Sequence, residues 1–381
     1  MDVSEDVFFE ILLRFPPKSV FKFRCLSKRS NQIINDSFFL RSYAEQRKGR
    51  GRLLAFILNQ NRESSPTTRI APLSGNQVGT IPKKYGIFIC SSDSLVLCVG
   101  CNSDSTIKNP AYHVGNLLTK KWVSLPSPPD PKVNVSIALA CQETSSQLVT
   151  NYKVVQFTDV ASNGAFMIET YSSKTGMWTK SKVFSTASSF WWVFVLGRPL
   201  ALNGIIHWPV ANHFIAVYDP YDIGGENHLQ IIQKPVADAR ICSSVLTRSS
   251  DGILWCGVTT CLNMTRIWTL PKGENGYRRP HTIPSEEWSL VYTMDFDFLG
   301  NDCSMTSYER KYMKDYNGIR MIALCPWNPL VVYFLISDTI FLYNTESRIM
   351  ERVQYDGKPI TDPFYMNPYF ESRFLSSYAL Q

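Results

Sequence analysis

The sequence predicts a chain of mixed class, α followed by all-β: a short three-helix head, then a β-propeller-like domain of about six blades. Three observations carry this. The first 46 residues place apolar side chains at helical spacing, interrupted by the pair Pro16-Pro17. After Leu53 the character changes to short alternating strands broken by turn residues. Five later segments then repeat one plan at a loose interval of about fifty residues, the length of a four-stranded propeller blade.

In the head, Val3, Val7, Phe8, Ile11 and Leu12 form a broad apolar stripe, with Glu5, Asp6 and Glu10 mostly off it. Pro16 forbids helical continuation at Phe15, and Pro17 has the fixed backbone angle suited to a first helical position. One helix therefore stops and another starts at once. Val20 and Phe23 are the inward positions of the second, and Ser27 can cap a third through Ile33 and Ile34. So short a module buries little apolar surface by itself, and its uncovered face calls for the rest of the chain or a partner.

The stretch SEDVFFEILLRFPPKSVFKFRCLSKRSNQIINDSFF resembles the F-box in its plant form, with Glu5, Asp6, Glu10, Ile11, Leu12, Arg14, Pro16, Lys18, Ser19, Phe23, Arg24, Cys25, Ser27, Lys28, Ile34 and Phe38 matching in order without a gap. The resemblance implies a partner, a Skp-type linker protein that hangs from a cullin scaffold in an SCF ubiquitin ligase. It implies a docking surface within residues 1 to 46 that draws on Val7, Ile11, Leu12, Pro16, Val20, Phe23 and Ile34. Three positions depart from the family pattern: Val3-Ser4 stands for Leu-Pro, Ser30 for Trp and Ser37 for Pro. They predict weaker docking, and with it a second reading as an interaction module outside a ligase.

Residues 47 to 52, RKGRGR, read as a basic linker. Of the net charge of +7, the first 52 residues hold 11 Lys and Arg against 6 Asp and Glu. That asymmetry suits a docking face for an acidic protein better than nucleic acid, since no aromatic stacking platform accompanies it. Apolar residues at 44% with 19% charged describe a globular chain. Neither a membrane span nor a secretory leader is visible, so a cytoplasmic or nuclear location and reduced thiols are expected.

Residues 53 to 381 form the expected β-domain. Its repeat is anchored by Tyr112, Tyr171, Tyr218, Trp268 and Tyr343, each at the end of an apolar strand and before a polar turn. Closing such hairpins into a ring removes long exposed edges, which a single sandwich of this length does not. With ALNGIIHW from Ala201 and ALCPWNPLVVYF from Ala323, these hairpins resemble the kelch-like F-box-associated domain of the plant family that includes the S-locus F-box proteins. The resemblance implies a domain that selects a protein substrate. Exposed aromatic residues on loops make good anchors, and Tyr221, Trp191 and Trp192 are the candidates.

Catalytic patterns are sparse. Cys98-Val-Gly-Cys101 has half the ligands of a zinc site and no completing pair, and the five histidines show no metal spacing. Asp295 and Asp297 could share a strand face, with His207 as a further candidate for an enzyme built on a propeller. No phosphate loop or nucleophile elbow is present. The expectation is a non-catalytic adaptor without cofactor or metal, binding neither nucleic acid nor membrane.

Overall fold

The computed structural model describes most of residues 5–36 and 53–355, with 38–39, 42–43 and 365–370; within 53–355 the longest stretches outside that description are 101–109, 186–198, 272–286 and 296–318. In the head, α1 (Glu5–Arg14), α2 (Pro17–Phe23) and α3 (Lys28–Asn35) follow one another, and residues 38, 39, 42 and 43 are also helical. α1 ends at Arg14, and Pro17 acts as the sequence requires and opens α2. Ser27 caps α3 from an extended backbone, its hydroxyl accepting from the Ser30 N–H at 2.9 Å. Asp36 does the same for the turn beyond, its carboxylate accepting from Phe38 N–H at 2.8 Å. Leu12, Leu13, Val20, Ile34, Phe39 and Tyr43 close the interior, and the Tyr43 hydroxyl donates to the Phe15 carbonyl at 2.7 Å.

Beyond residue 53 every described regular element but one 3-10 turn is a strand. Antiparallel meanders follow in chain order. The first is β3–β6 (Ile87–Ser92, Leu95–Gly100, Ala111–Asn116, Lys121–Ser124). The second is β7–β10 (Ile137–Glu143, Val149–Val160, Phe166–Ser172, Met177–Ser185), and the third β11–β14 (Leu200–Leu202, Ile205–Val210, Phe214–Tyr218, His228–Gln233). Next come β15–β18 (Ile241–Arg248, Leu254–Thr260, Met264–Leu270, Ser289–Asp295) and β19–β22 (Ile319–Cys325, Asn328–Ile336, Thr339–Asn344, Ile349–Arg352). The remaining sheet joins the two ends of the domain: β1 (Leu53–Arg62) lies between β2 (Ser65–Pro72) and β23 (Tyr365–Phe370).

The described sheets number five, against an expectation of about six blades. The difference arises at one place. The outer strands β10 and β14 pair in parallel over two residues, Phe184 with His228 and Ser185 with Leu229, and this fuses two meanders into one eight-stranded sheet. Apolar cores lie between neighbouring meanders all the way round. Tyr112, Leu139 and Tyr171 share one, Phe157, Ile206 and Trp208 the next, and Ile215, Cys256 and Trp268 a third. Ile267, Phe334 and Tyr343 build another, while Phe56 and Phe88 cover the two sides of the β2–β1–β23 sheet.

All five repeat anchors are buried, and each lies in the third strand of its meander. Registers are less uniform. Tyr171 faces Trp178 and Tyr343 faces Met350, but the residue facing Trp122 is Gly115, not Tyr112. The Trp122 ring lies flat where a Gly115 side chain would be, so glycine and tryptophan exchange volume at this one place.

The turn after the third strand recurs in three meanders. The N–H groups of Lys120, Gly176 and Arg348 donate to the carbonyls of Asn116, Ser172 and Asn344 at 2.8–2.9 Å, and all three have φ between 57° and 68°. Gly176 has open space around a would-be Cβ. Gly176→Ala should therefore cost about 1 kcal/mol in backbone strain alone, and Arg348→Gly should shift stability by a similar amount the other way. Thermal melts of the two variants, moving in opposite directions, check this.

Candidate functional site

The head divides its apolar residues between two faces of α1. Leu12 is fully buried, whereas Val7 is 51% exposed, Ile11 41% and Phe15 37%. Val7 and Ile11, four apart, share one line of α1 that points away from the core, and Phe15 is exposed just past the end of the helix. Phe38 is exposed as well and stacks on Phe9 with ring centroids 5.6 Å apart. Of the residues expected to form a docking surface, Val7 and Ile11 are thus at the surface and Phe23 is half-buried. Leu12, Val20 and Ile34 are interior instead, and Pro16 lies outside the described residues. The sequence reading merged two adjacent faces of one broad stripe. Phe15, which the same spacing contains, was not among the residues expected there and is exposed as well.

Ser30 is also interior, at 6% exposure, with its hydroxyl 2.7 Å from that of Ser27. The departure from the family's Trp therefore sits within the helical packing and off the exposed line of α1.

In the β-domain, Tyr221 is a tie between meanders. Its hydroxyl donates to the Ala140 carbonyl of β7 at 3.0 Å, the Lys153 ammonium lies 4.7 Å over its ring, and the backbone of Gly204 presses against that ring. The same ammonium donates to the Pro220 carbonyl at 2.6 Å, and burial pushes the Lys153 pKa down. Tyr221→Phe should lower stability by about 0.5–1.5 kcal/mol through the lost hydrogen bond. Denaturant unfolding checks it, and an unchanged midpoint would release Tyr221 from this packing role. Trp191 and Trp192 lie outside the described residues.

Among the described residues, candidate catalytic groups are not brought together. His207 is fully buried and held at about 4 by that burial, with Nδ1 3.3 Å from the Ile205 carbonyl. Asp295 is exposed, and Asp297 lies outside the described residues. The Cys98 thiol is buried and pushed well above the usual range by desolvation; Cys101 is outside the description. Among the described residues no three His, Cys, Asp or Glu side chains gather as metal ligands do, and no helix is long and apolar enough to cross a membrane. One buried polar chain is structural: Tyr112 donates to Gln156 at 3.1 Å, and Gln156 donates to the fully buried Glu169 at 2.8 Å.

Residues 2–42 match the F-box domain family, and residues 64–350 match the β-propeller family described as "F-box protein At3g26010-like". The chain belongs to the At3g26010-like F-box β-propeller family. Its two-part organisation is thus an F-box followed by a β-propeller domain. Among similar Arabidopsis thaliana proteins, F-box protein At5g03970 is 27% identical over 392 residues, covering 96% of this chain and 87% of that protein. F-box protein At1g49990 is 23% identical, covering 74% of each. F-box protein At3g26010 itself is 23% identical over 189 residues, 46% of this chain and 42% of that one.

Proposed function

We propose that this F-box β-propeller protein is the substrate-recognition subunit of an SCF-type ubiquitin ligase, in which it has no catalytic role. The observation that carries this is the exposed line of Val7 and Ile11 on an F-box helix, continued past its end by Phe15, with the other side of the helix closed by Leu12 and Leu13. A Skp-type linker protein covers that line, with burial of each aliphatic side chain contributing about 1.5–3 kcal/mol before the costs of association. Ser30 lies inside the helical packing, so its departure from the family pattern leaves the line intact. This favours ligase assembly over the alternative of an interaction module outside a ligase.

The propeller presents the substrate, and six blades are the reading that suits its strand order. The first strands β3, β7, β11, β15 and β19 contact one another in sequence, and β23 follows β19. On this reading the eight-stranded sheet is two blades joined at their rims, and the sixth blade combines β1 and β2 with the returning β23. Pairing the two ends of the domain in one sheet closes a ring without a free inner edge.

Affinity purification of the full chain from plant cells with the proteasome blocked tests the adaptor role. Linker and cullin should co-purify with it, together with ubiquitinated proteins that accumulate only under the block. Recovery of neither linker nor cullin would overturn the reading.

A further inference from the structure

Two short sequences of the same pattern, two lysines and an aromatic residue, Lys83-Lys84-Tyr85 and Lys120-Lys121-Trp122, are 37 residues apart in the chain and meet in the fold. The Tyr85 and Trp122 rings stack at 4.4 Å between centroids and 17° between planes. All four lysines are exposed. Residues 78–86 and 110–124 contain no Asp or Glu, and none of the four lysines makes an ion pair among the described residues.

The first arm is held against the sheet at both ends. Gly79 donates to the Leu117 carbonyl at 3.0 Å, and a side chain at Gly79 would collide with that carbonyl. Gly86 has φ 77°, and a side chain there would strike the Val99 carbonyl. Glycine is the residue that such backbone contact admits. The second arm is fixed by its turn, with Lys120 in the left-handed conformation after β5. Like charges are thus carried on a rigid support whose own two arms hold no carboxylate.

We propose that this corner of the β3–β6 sheet, with Lys83 and Lys84 on one arm and Lys120 and Lys121 on the other, docks an acidic segment of a partner protein. The partner class follows from the chemistry. Trp122 is covered on one face by the Gly115 backbone and on the other by Tyr85, while the Lys84 ammonium lies 4.8 Å from the Tyr85 ring centroid. His113 approaches the same ring at 4.9 Å. No ring face is left open for a stacked base, which single-stranded nucleic acid uses. Four flexible ammonium groups without an arginine fork suit scattered carboxylates better than one planar anion. This assignment rests on reading the propeller as the substrate-binding part, and it names the class of segment that part takes.

Fluorescence anisotropy with a labelled Glu-rich peptide, added to the full chain at low salt, tests the site. Charge reversal on one arm (Lys83→Glu with Lys84→Glu) or on the other (Lys120→Glu with Lys121→Glu) should each weaken binding roughly tenfold or more, and added salt should weaken the wild-type interaction. Melting temperatures should hold, because the substituted side chains are exposed. Unchanged affinity in either double variant overturns the two-armed site, and tighter binding of a single-stranded RNA than of the peptide overturns the choice of partner. Linker capture, measured on the same variants, should be unaffected. A failure of the peptide site with capture intact therefore leaves the adaptor reading standing, and a failure of capture in the wild type counts against that reading alone.

Discussion

Trp208→Ala should remove about 3–5 kcal/mol from the stability of the propeller, a large part of the whole for a domain that is marginally stable. Trp208 is the largest fully buried side chain among the described residues. It lies on β12, in the core between the β7–β10 and β11–β14 meanders, with its ring 4.6 Å from that of Phe157. Collapse of the two neighbouring rings into the space is opposed by the edge-to-face contact that Phe157 and Phe166 already make with each other. Among the described residues the indole N–H has no hydrogen-bond partner. Trp208→Phe should accordingly be much milder than Trp208→Ala, because it forfeits volume but no hydrogen bond. Urea unfolding followed by far-ultraviolet circular dichroism separates the two variants. A loss under about 1 kcal/mol for Trp208→Ala would contradict close packing between these meanders.

What the sequence disclosed, and what it did not, follows the range of the interactions. Helix boundaries in the head are local matters of short-range chemistry, and Pro17 and Ser27 each act in the fold as that chemistry requires. The repeat was legible because each third strand carries its own aromatic residue before its own turn. Its phase in β3–β6 was not, because the partner of Trp122 is a glycine, which gives no apolar signal. Pairing of β1 with β23 spans most of the chain, and the rim contact between β10 and β14 involves two residues; neither leaves a pattern in either segment. The face of α1 that looks outward was hidden for another reason. Val7, Ile11 and Leu12 belong to one continuous stripe, and hydrophobicity alone does not say which edge of it the other helices cover. The meeting of the two lysine-bearing arms depends on a ring stack between distant residues, and so appears only in three dimensions.

Ile11→Asp separates docking from folding in the head, since Ile11 is exposed on the line with Val7 while its neighbour Leu12 is fully buried. Leu12→Ala should unfold the head at a cost of about 2–5 kcal/mol and abolish docking indirectly. Ile11→Asp should keep the head folded and place an unpaired carboxylate in an apolar interface, at a cost of several kcal/mol of binding. The decisive measurement is titration calorimetry of a purified Skp-type linker protein into the full chain and into the full-length Ile11→Asp variant. Saturable one-to-one binding by the wild type, weakened at least about a hundredfold in a variant with an unchanged melting temperature, is the predicted result. Equal affinity for the two chains, or no binding by the wild type, would contradict docking through α1 and with it the adaptor function.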